Sequence, residues 1–229
     1  MTMGGDLGPF AEKSVLHNGA RVLTERIEHV DSVALGLWTA TGSRDDPPNR
    51  DGMTHFLEHM CFKGTPNRST LQIAEAIDDI GGHVNGLTDR EEMSLFARTV
   101  GEQTESALEL LFDLLLHSVS TEEEVTRERE VVLQEIGHVR DAAEDWMHEL
   151  VPQTTWAGHP LGRPLMGTAE TVTGISPEAI RSFHREEVLG ADRLIVAAAG
   201  RIDHARVVEL TRRFTADLSP GPPREHESV

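Results

Sequence analysis

The chain has 229 residues, 38% of them hydrophobic, and carries 39 Asp and Glu against 21 Lys and Arg, a formal net charge of -18. That length holds one large domain or two small ones, and that charge excludes a general binder of nucleic acid or acidic membrane, which needs clustered cations. No apolar run is long enough for a membrane span, the start lacks a secretory pattern, and the single cysteine, Cys61, rules out an internal disulfide, so a cytoplasmic location is expected.

Residues 1–13 are Gly-rich at first and form an N-terminal segment outside the expected domain. Residues 14–27 read as two short strands about the turn His17-Asn18-Gly19. From Ser32 to Thr39, Val33, Leu35 and Leu37 alternate with Ala34, Gly36 and Trp38, which predicts a strand buried on both faces. A Pro- and Asp-rich loop at 42–52 follows, then a helix over 53–62. Ser69 with Gln72 three residues on is a capping box for a helix to Ile80, which Gly81-Gly82 ends. Two strands at 83–87 and 93–100 flank a polar turn, and another helix covers 103–117.

Residues 121–150 form the longest helical pattern, opened by Thr121 with Glu124 at capping-box spacing. Glu122, Glu123 and Glu124 complement the positive end of that helix. Residues 152–175 look irregular. Ser176-Pro177 starts a helix to about Glu187, residues 194–199 are an apolar strand closed by Gly200, and Asp203 caps a last helix to Phe214. Residues 217–229 have linker composition. Blocks of hairpins and helices, without strict β-α alternation, point to an α+β fold.

The chemistry concentrates in His55-Phe56-Leu57-Glu58-His59. On a helix, His55 and His59 stand one turn apart on the same face, with Glu58 beside them. Two imidazoles and a carboxylate leave a tetrahedral zinc one open position for water, whose proton Glu58 would accept as general base. The pattern is short enough to arise by chance on a surface helix with solvated histidines. A second signal comes from the helix at 121–150. Positions stepping by three and four hold Val125, Glu128, Val132, Glu135, Val139, Ala142 and Trp146, an apolar stripe with two carboxylates in its middle. A carboxylate in such a stripe needs a cation or strong donors, which a metal, a ligating imidazole or a neighbouring Arg or Lys can each supply.

His55 to Thr65 resembles the active-site segment of the pitrilysin/insulinase peptidase family, which includes mitochondrial processing peptidase and bacterial zinc peptidases. Glu128-Arg129-Glu130-Val131-Val132-Leu133-Gln134-Glu135 resembles the downstream segment that completes that family's zinc site. The resemblance implies His55, His59 and Glu135 as ligands of one Zn2+, Glu58 as the catalytic carboxylate and Glu128 as the acid supporting a ligand. Gly81-Gly82-x-x-Asn85-x-x-Thr88 resembles the segment whose edge strand pairs with an extended peptide, which makes Asn85 and Thr88 candidate substrate-binding residues. Leu161-Gly162-Arg163-Pro164 resembles a further family loop, and Arg163 would anchor a nearby loop. The likeness covers residues 14–216, the expected half-domain. It implies a mixed, mostly antiparallel sheet with helices packed on one face.

Two departures stand out. Gly86 occupies a position where the family often has Ala. The chain also corresponds to one of two half-domains and has no tyrosine, whereas the family's second half contributes an Arg and Tyr pair. A second half-domain or partner subunit is therefore expected, with an extended peptide or protein as substrate and neither nucleic acid nor membrane as partner. The implied activity is a zinc metalloendopeptidase. The alternative is a non-catalytic assembly subunit of the same fold, as in core proteins of a respiratory complex. Cys61, two residues past His59, faces away from the metal as a small core residue, and His83, near the peptide-binding strand, reads as solvated or packed.

Overall fold

A computed structural model describes residues 11–222. Six strands, β1 (Ala11–Val15), β2 (Arg21–Arg26), β3 (Ser32–Thr39), β4 (His83–Thr88), β5 (Met93–Val100) and β6 (Leu194–Gly200), form one sheet in the order β1-β2-β6-β3-β5-β4. β2 and β6 run parallel, and the other neighbours are antiparallel. The late strand β6 thus lies between β2 and β3. β1 begins at Ala11, three residues before the expected start, and Gly19 takes φ 94° in the turn that joins it to β2. That conformation suits a residue without a Cβ.

The helices are α1 (Met53–Cys61), α2 (Thr70–Asp79), α3 (Thr104–His117), α4 (Glu122–Asp141), α5 (Ala143–Thr155), α6 (Ala169–Gly174), α7 (Pro177–Phe183) and α8 (His204–Phe214). Four of them start at the expected caps. Ser69, Thr121, Ser176 and Asp203 each accept a backbone N–H from the first turn, which relieves donors that a helix leaves unpaired. α1 and α3 pack on the β3–β5–β4 half of the sheet, and α8 packs on β2. Phe56 and Leu57 of α1, Leu37 of β3, Leu95 of β5 and Leu108 of α3 are fully buried in the shared core. Each contributes about 1.5–3 kcal/mol by leaving water. None of the helices is long and apolar enough to cross a membrane, among the described residues.

Three expectations are corrected. β3 is covered on one face only. Val33, Leu35 and Leu37 are buried, but Ala34 is exposed and Trp38 half-buried. The face of Ala34 and Trp38 continues into Leu23, Phe96, Ala197 and Ala199, which line an open groove rather than a second helical layer. The apolar alternation reflected a face of small residues and one tryptophan, without a cover among the described residues. The long helix at 121–150 is two helices. Ala142 leaves helical geometry at φ -92°, ψ 105°, so the apolar stripe of α4 stops at Val139 and Trp146 belongs to α5. Residues 152–175 are also less irregular than expected, since α5 runs through Pro152 and α6 supplies a further short helix. Ser176 opens α7, which passes into a π turn at His184–Val188.

Candidate metal centre

The site is built where α4 crosses α1 beneath the edge strand β4. α1 is anchored through Phe56, Leu57 and Met60, all essentially inaccessible, so its opposite side presents His55, Glu58 and His59. The two imidazoles stand edge to face, with ring centroids 4.6 Å apart. On α4, Val125, Val132 and Ile136 are buried, and the same side carries Glu128 and Glu135 two turns apart.

Three atoms converge. Glu135 Oε2 lies 3.4 Å from His59 Nε2 and 3.7 Å from His55 Nε2. Both separations exceed a good hydrogen bond. A tetrahedral ion with bonds of about 2.0–2.1 Å sets its ligand atoms about 3.3–3.4 Å apart. The spacing and the N,N,O donor set therefore fit zinc better than they fit a plain hydrogen-bonded cluster. No other group of three or more His, Cys, Asp or Glu comes together in this way among the described residues.

Charge and hydrogen bonding prepare the two histidines differently. Burial, then the neighbouring His59, pushes the His55 pKa down to about 4 against the opposing pull of Glu135, so its ring is neutral with a lone pair to offer. For His59, burial disfavours the cation, but the Glu128 and Glu135 carboxylates outweigh it and push the pKa up to about 9. His59 thus favours its protonated form beside these two carboxylates. Glu128 Oε1 lies 2.8 Å from His59 Nδ1, and its other oxygen lies 2.7 Å from Lys63 Nζ. Burial works against the Glu128 carboxylate, but these two partners hold it below the usual carboxylate range. Once the ring is neutral, an acceptor on Nδ1 keeps that nitrogen protonated and leaves the Nε2 lone pair facing Glu135 and His55. His59 and the burial that opposes it likewise leave Glu135 below its ordinary value.

Glu58 is directed toward the sheet. Thr88 Oγ1 donates to Glu58 Oε2 at 2.8 Å. Burial raises the Glu58 pKa although that bond works the other way. A Cβ on Gly86 would sit 2.5 Å from Glu58 Oε1, so the missing side chain lets β4 lie directly against the carboxylate. Thr88, expected to meet substrate, is buried and engaged with Glu58. Asn85 is exposed, and its Oδ1 accepts the Gly86 N–H at 2.9 Å. The ligand group, Glu58 and β4 residues Asn85 to Thr88 border one cavity of about 440 Å³, closed on another side by Leu165 and Met166. The groove on the far face of the sheet is equally large, but it is lined by alanines, Trp38 and Phe96 and holds no such cluster among the described residues.

Other expectations find their places. Cys61 is fully buried, and desolvation raises its thiol pKa well above the usual value. His83 is exposed and shares the open face of the sheet with Phe96, 6.4 Å between ring centroids. Lys63 had no assigned role, although it stands one turn beyond His59; that spacing was the available signal for its contact with Glu128.

The model of the insulinase family, peptidase family M16, matches residues 21–169. The chain is 39% identical over 208 residues to a protein of Rickettsia felis named as an uncharacterized zinc protease, covering 91% of this chain and 50% of that one. It is 38% identical to the uncharacterized zinc protease YmxG of Bacillus subtilis, covering 86% of this chain and 48% of YmxG. The chain thus spans about half the length of these relatives. In fold it is similar to a protease from Helicobacter pylori, with TM-score 0.85 and 23% identity over 95% of this chain and 53% of that chain. It is also similar to a peptidase M16 inactive domain from Pseudomonas fluorescens, with TM-score 0.84 and 18% identity over 95% of this chain and 53% of that chain.

Proposed function

The chain belongs to the insulinase family, peptidase family M16, and from that membership we propose that residues 14–216 are the metal-binding half-domain of a zinc endopeptidase. His55, His59 and Glu135 would hold one Zn2+, and Glu58 would act as the general base. The observation that carries this reading is that Glu135 Oε2 lies 3.4 Å from His59 Nε2 and 3.7 Å from His55 Nε2, in a group of three side chains whose ligand atoms all lie within 4.8 Å of one another. Zinc, when bound there, acidifies a water and polarises a peptide carbonyl.

The chain's own groups do the remaining work. Glu128 orients His59 through Nδ1. The Thr88 hydroxyl occupies Glu58 Oε2, which leaves Oε1 to accept a proton from the attacking water and return it to the leaving amine nitrogen. Burial that raises the Glu58 pKa favours this exchange, because an acid of ordinary strength gives up its proton readily and regains it poorly. β4 is the edge strand beside this carboxylate. An extended peptide pairing with its free edge would run past Glu58, with main-chain hydrogen bonds supplying affinity without demanding one sequence. Residues 1–13 and 217–229 would flank the half-domain. A second half-domain or partner subunit would complete the substrate chamber and the binding of the developing oxyanion, a contribution of about 10²–10³ in rate per donor.

The contrasting reading, a non-catalytic subunit of this fold, has no need of a complete set of ligands and a base. Here all four side chains border one cavity. The test is zinc content and peptide hydrolysis for the wild type, Glu135→Gln and Glu58→Gln, the latter assay with the completing half present. Glu135→Gln should lose most of its zinc. Glu58→Gln should keep zinc and lose hydrolysis. Equal zinc in wild type and Glu135→Gln would remove that residue from the site, and full hydrolysis by Glu58→Gln would remove the base.

A further inference from the structure

α1 carries three of the four groups on which the proposed chemistry depends, yet it has no cap of its own. Its N-cap, Gly52, lies at φ 89° and offers no side chain. The N–H groups of the first turn, which need acceptors, go instead to Asp46, six residues upstream. Asp46 Oδ2 accepts from Gly52 N at 2.7 Å and Met53 N at 3.1 Å, and Oδ1 accepts from Thr54 N at 2.9 Å and Thr54 Oγ1 at 2.6 Å. Asp46 is 3% exposed. Thr54 directly precedes His55.

A second element holds this arrangement from outside. Arg163 donates to the Asp46 carbonyl, to the Pro47 carbonyl at 2.8 Å, and to Asp51 Oδ1 at 2.5 Å. Three residues on, backbone meets backbone. A Cβ on Gly52 would lie 2.4 Å from the Met166 carbonyl oxygen, and one on Gly167 would lie 2.1 Å from that of Asp51. Between these grips, Leu165 and Met166 wall the metal cavity. One arginine therefore joins the loop that caps α1 to the strip that lines the site. Lysine has no planar fork to span three acceptors in this way.

We propose that Asp46 and Arg163 are positioning residues of the metal centre. By fixing where α1 begins, they fix His55 against Glu135, which stands on a different helix. His59 has Glu128 to orient it, whereas His55 Nδ1 is buried without a hydrogen-bond partner among the described residues. The orientation of His55 therefore rests on the placement of its helix turn. Metal sites tolerate displacements of only about 0.5 Å before affinity suffers. The inference rests on the metal-site reading above.

The test is zinc affinity of the folded full chain, by competition with a chromophoric chelator, together with the visible spectrum of the Co2+ form. Asp46→Asn and Arg163→Met are compared with Val207→Ala, a core variant in α8 remote from the site, and all are also unfolded by denaturant without metal. The two positioning variants should bind zinc about tenfold more weakly or worse, the scale set by loss of a supporting partner. Their Co2+ spectra should also change. Val207→Ala should lose stability and keep its affinity and spectrum. If Asp46→Asn does not fold, Arg163→Met, altered at a partly exposed side chain, gives the same reading. Wild-type affinity and an unchanged spectrum in Arg163→Met would overturn the proposal while leaving the metal site standing. If the wild type and Glu135→Gln bind zinc equally, both readings fall.

Discussion

Zinc affinity in this chain should rise steeply with pH and then stop rising, at a point set by His59. Its pKa of about 9 means that a proton occupies the ring in the metal-free chain at neutral pH, held by Glu128 and Glu135. Zinc must displace that proton, since only the deprotonated ring ligates. His55, at about 4, is already neutral and sets no requirement in this range. At about pH 7, roughly one chain in a hundred has His59 free, so apparent affinity should lie about a hundredfold below its limit. The slope should be about tenfold per pH unit up to about pH 9 and flat beyond. Competition titrations at several pH values, corrected for protonation of the chelator, measure this directly. A change smaller than about threefold between pH 7 and 9 would refute the account of His59 as the contested ligand. The sign for the metal-free fold follows from the same shift. Proton binding at His59 stabilises the fold fully below about pH 6.5, and this contribution is lost as pH rises through about 9.

Two further outcomes follow from neighbouring residues. Glu128→Gln, assayed above about pH 9 where the proton no longer competes, should weaken zinc binding about 10–100-fold because His59 loses the carboxylate on Nδ1; chelator competition reads the loss, and undiminished affinity would deny Glu128 its orienting role. Cys61, fully buried with its thiol pKa raised, should resist a thiol-specific reagent in the native chain and react once the chain is unfolded. Rapid labelling under native conditions would contradict the packing of α1.

Much of the architecture was readable because it is written in local patterns. Capping residues such as Ser69, Thr121 and Asp203 mark helix starts through contacts only three residues long. The candidate ligands were readable for a similar reason: His55 and His59 share a helix face, and carboxylates in an apolar stripe need partners wherever they occur. The features that were missed depend on contacts distant in sequence. Thr88 reaches back to Glu58, and Gly86 matters through a carboxylate that only the folded sheet brings beside it. Asp46 caps a helix from beyond the three-residue window in which caps are sought. The break at Ala142 carries no Gly or Pro to announce it, and the open face of β3 has the same alternation that a covered face would have.

The seat of β6 between β2 and β3 has a consequence for how the molecule is made. The proposed ligands and base all lie between residues 55 and 135, so they leave the ribosome before Leu194 does. Until β6 arrives, β2 and β3 have no common neighbour, and the layer on which α1 rests is open along its middle. Joining strands so far apart in the chain is slow, because a long loop must close before any pairing repays it. The nascent protein therefore holds the ingredients of its centre well before it holds a floor to mount them on, and β6, the latest strand of the described sheet, is the keystone of the arch.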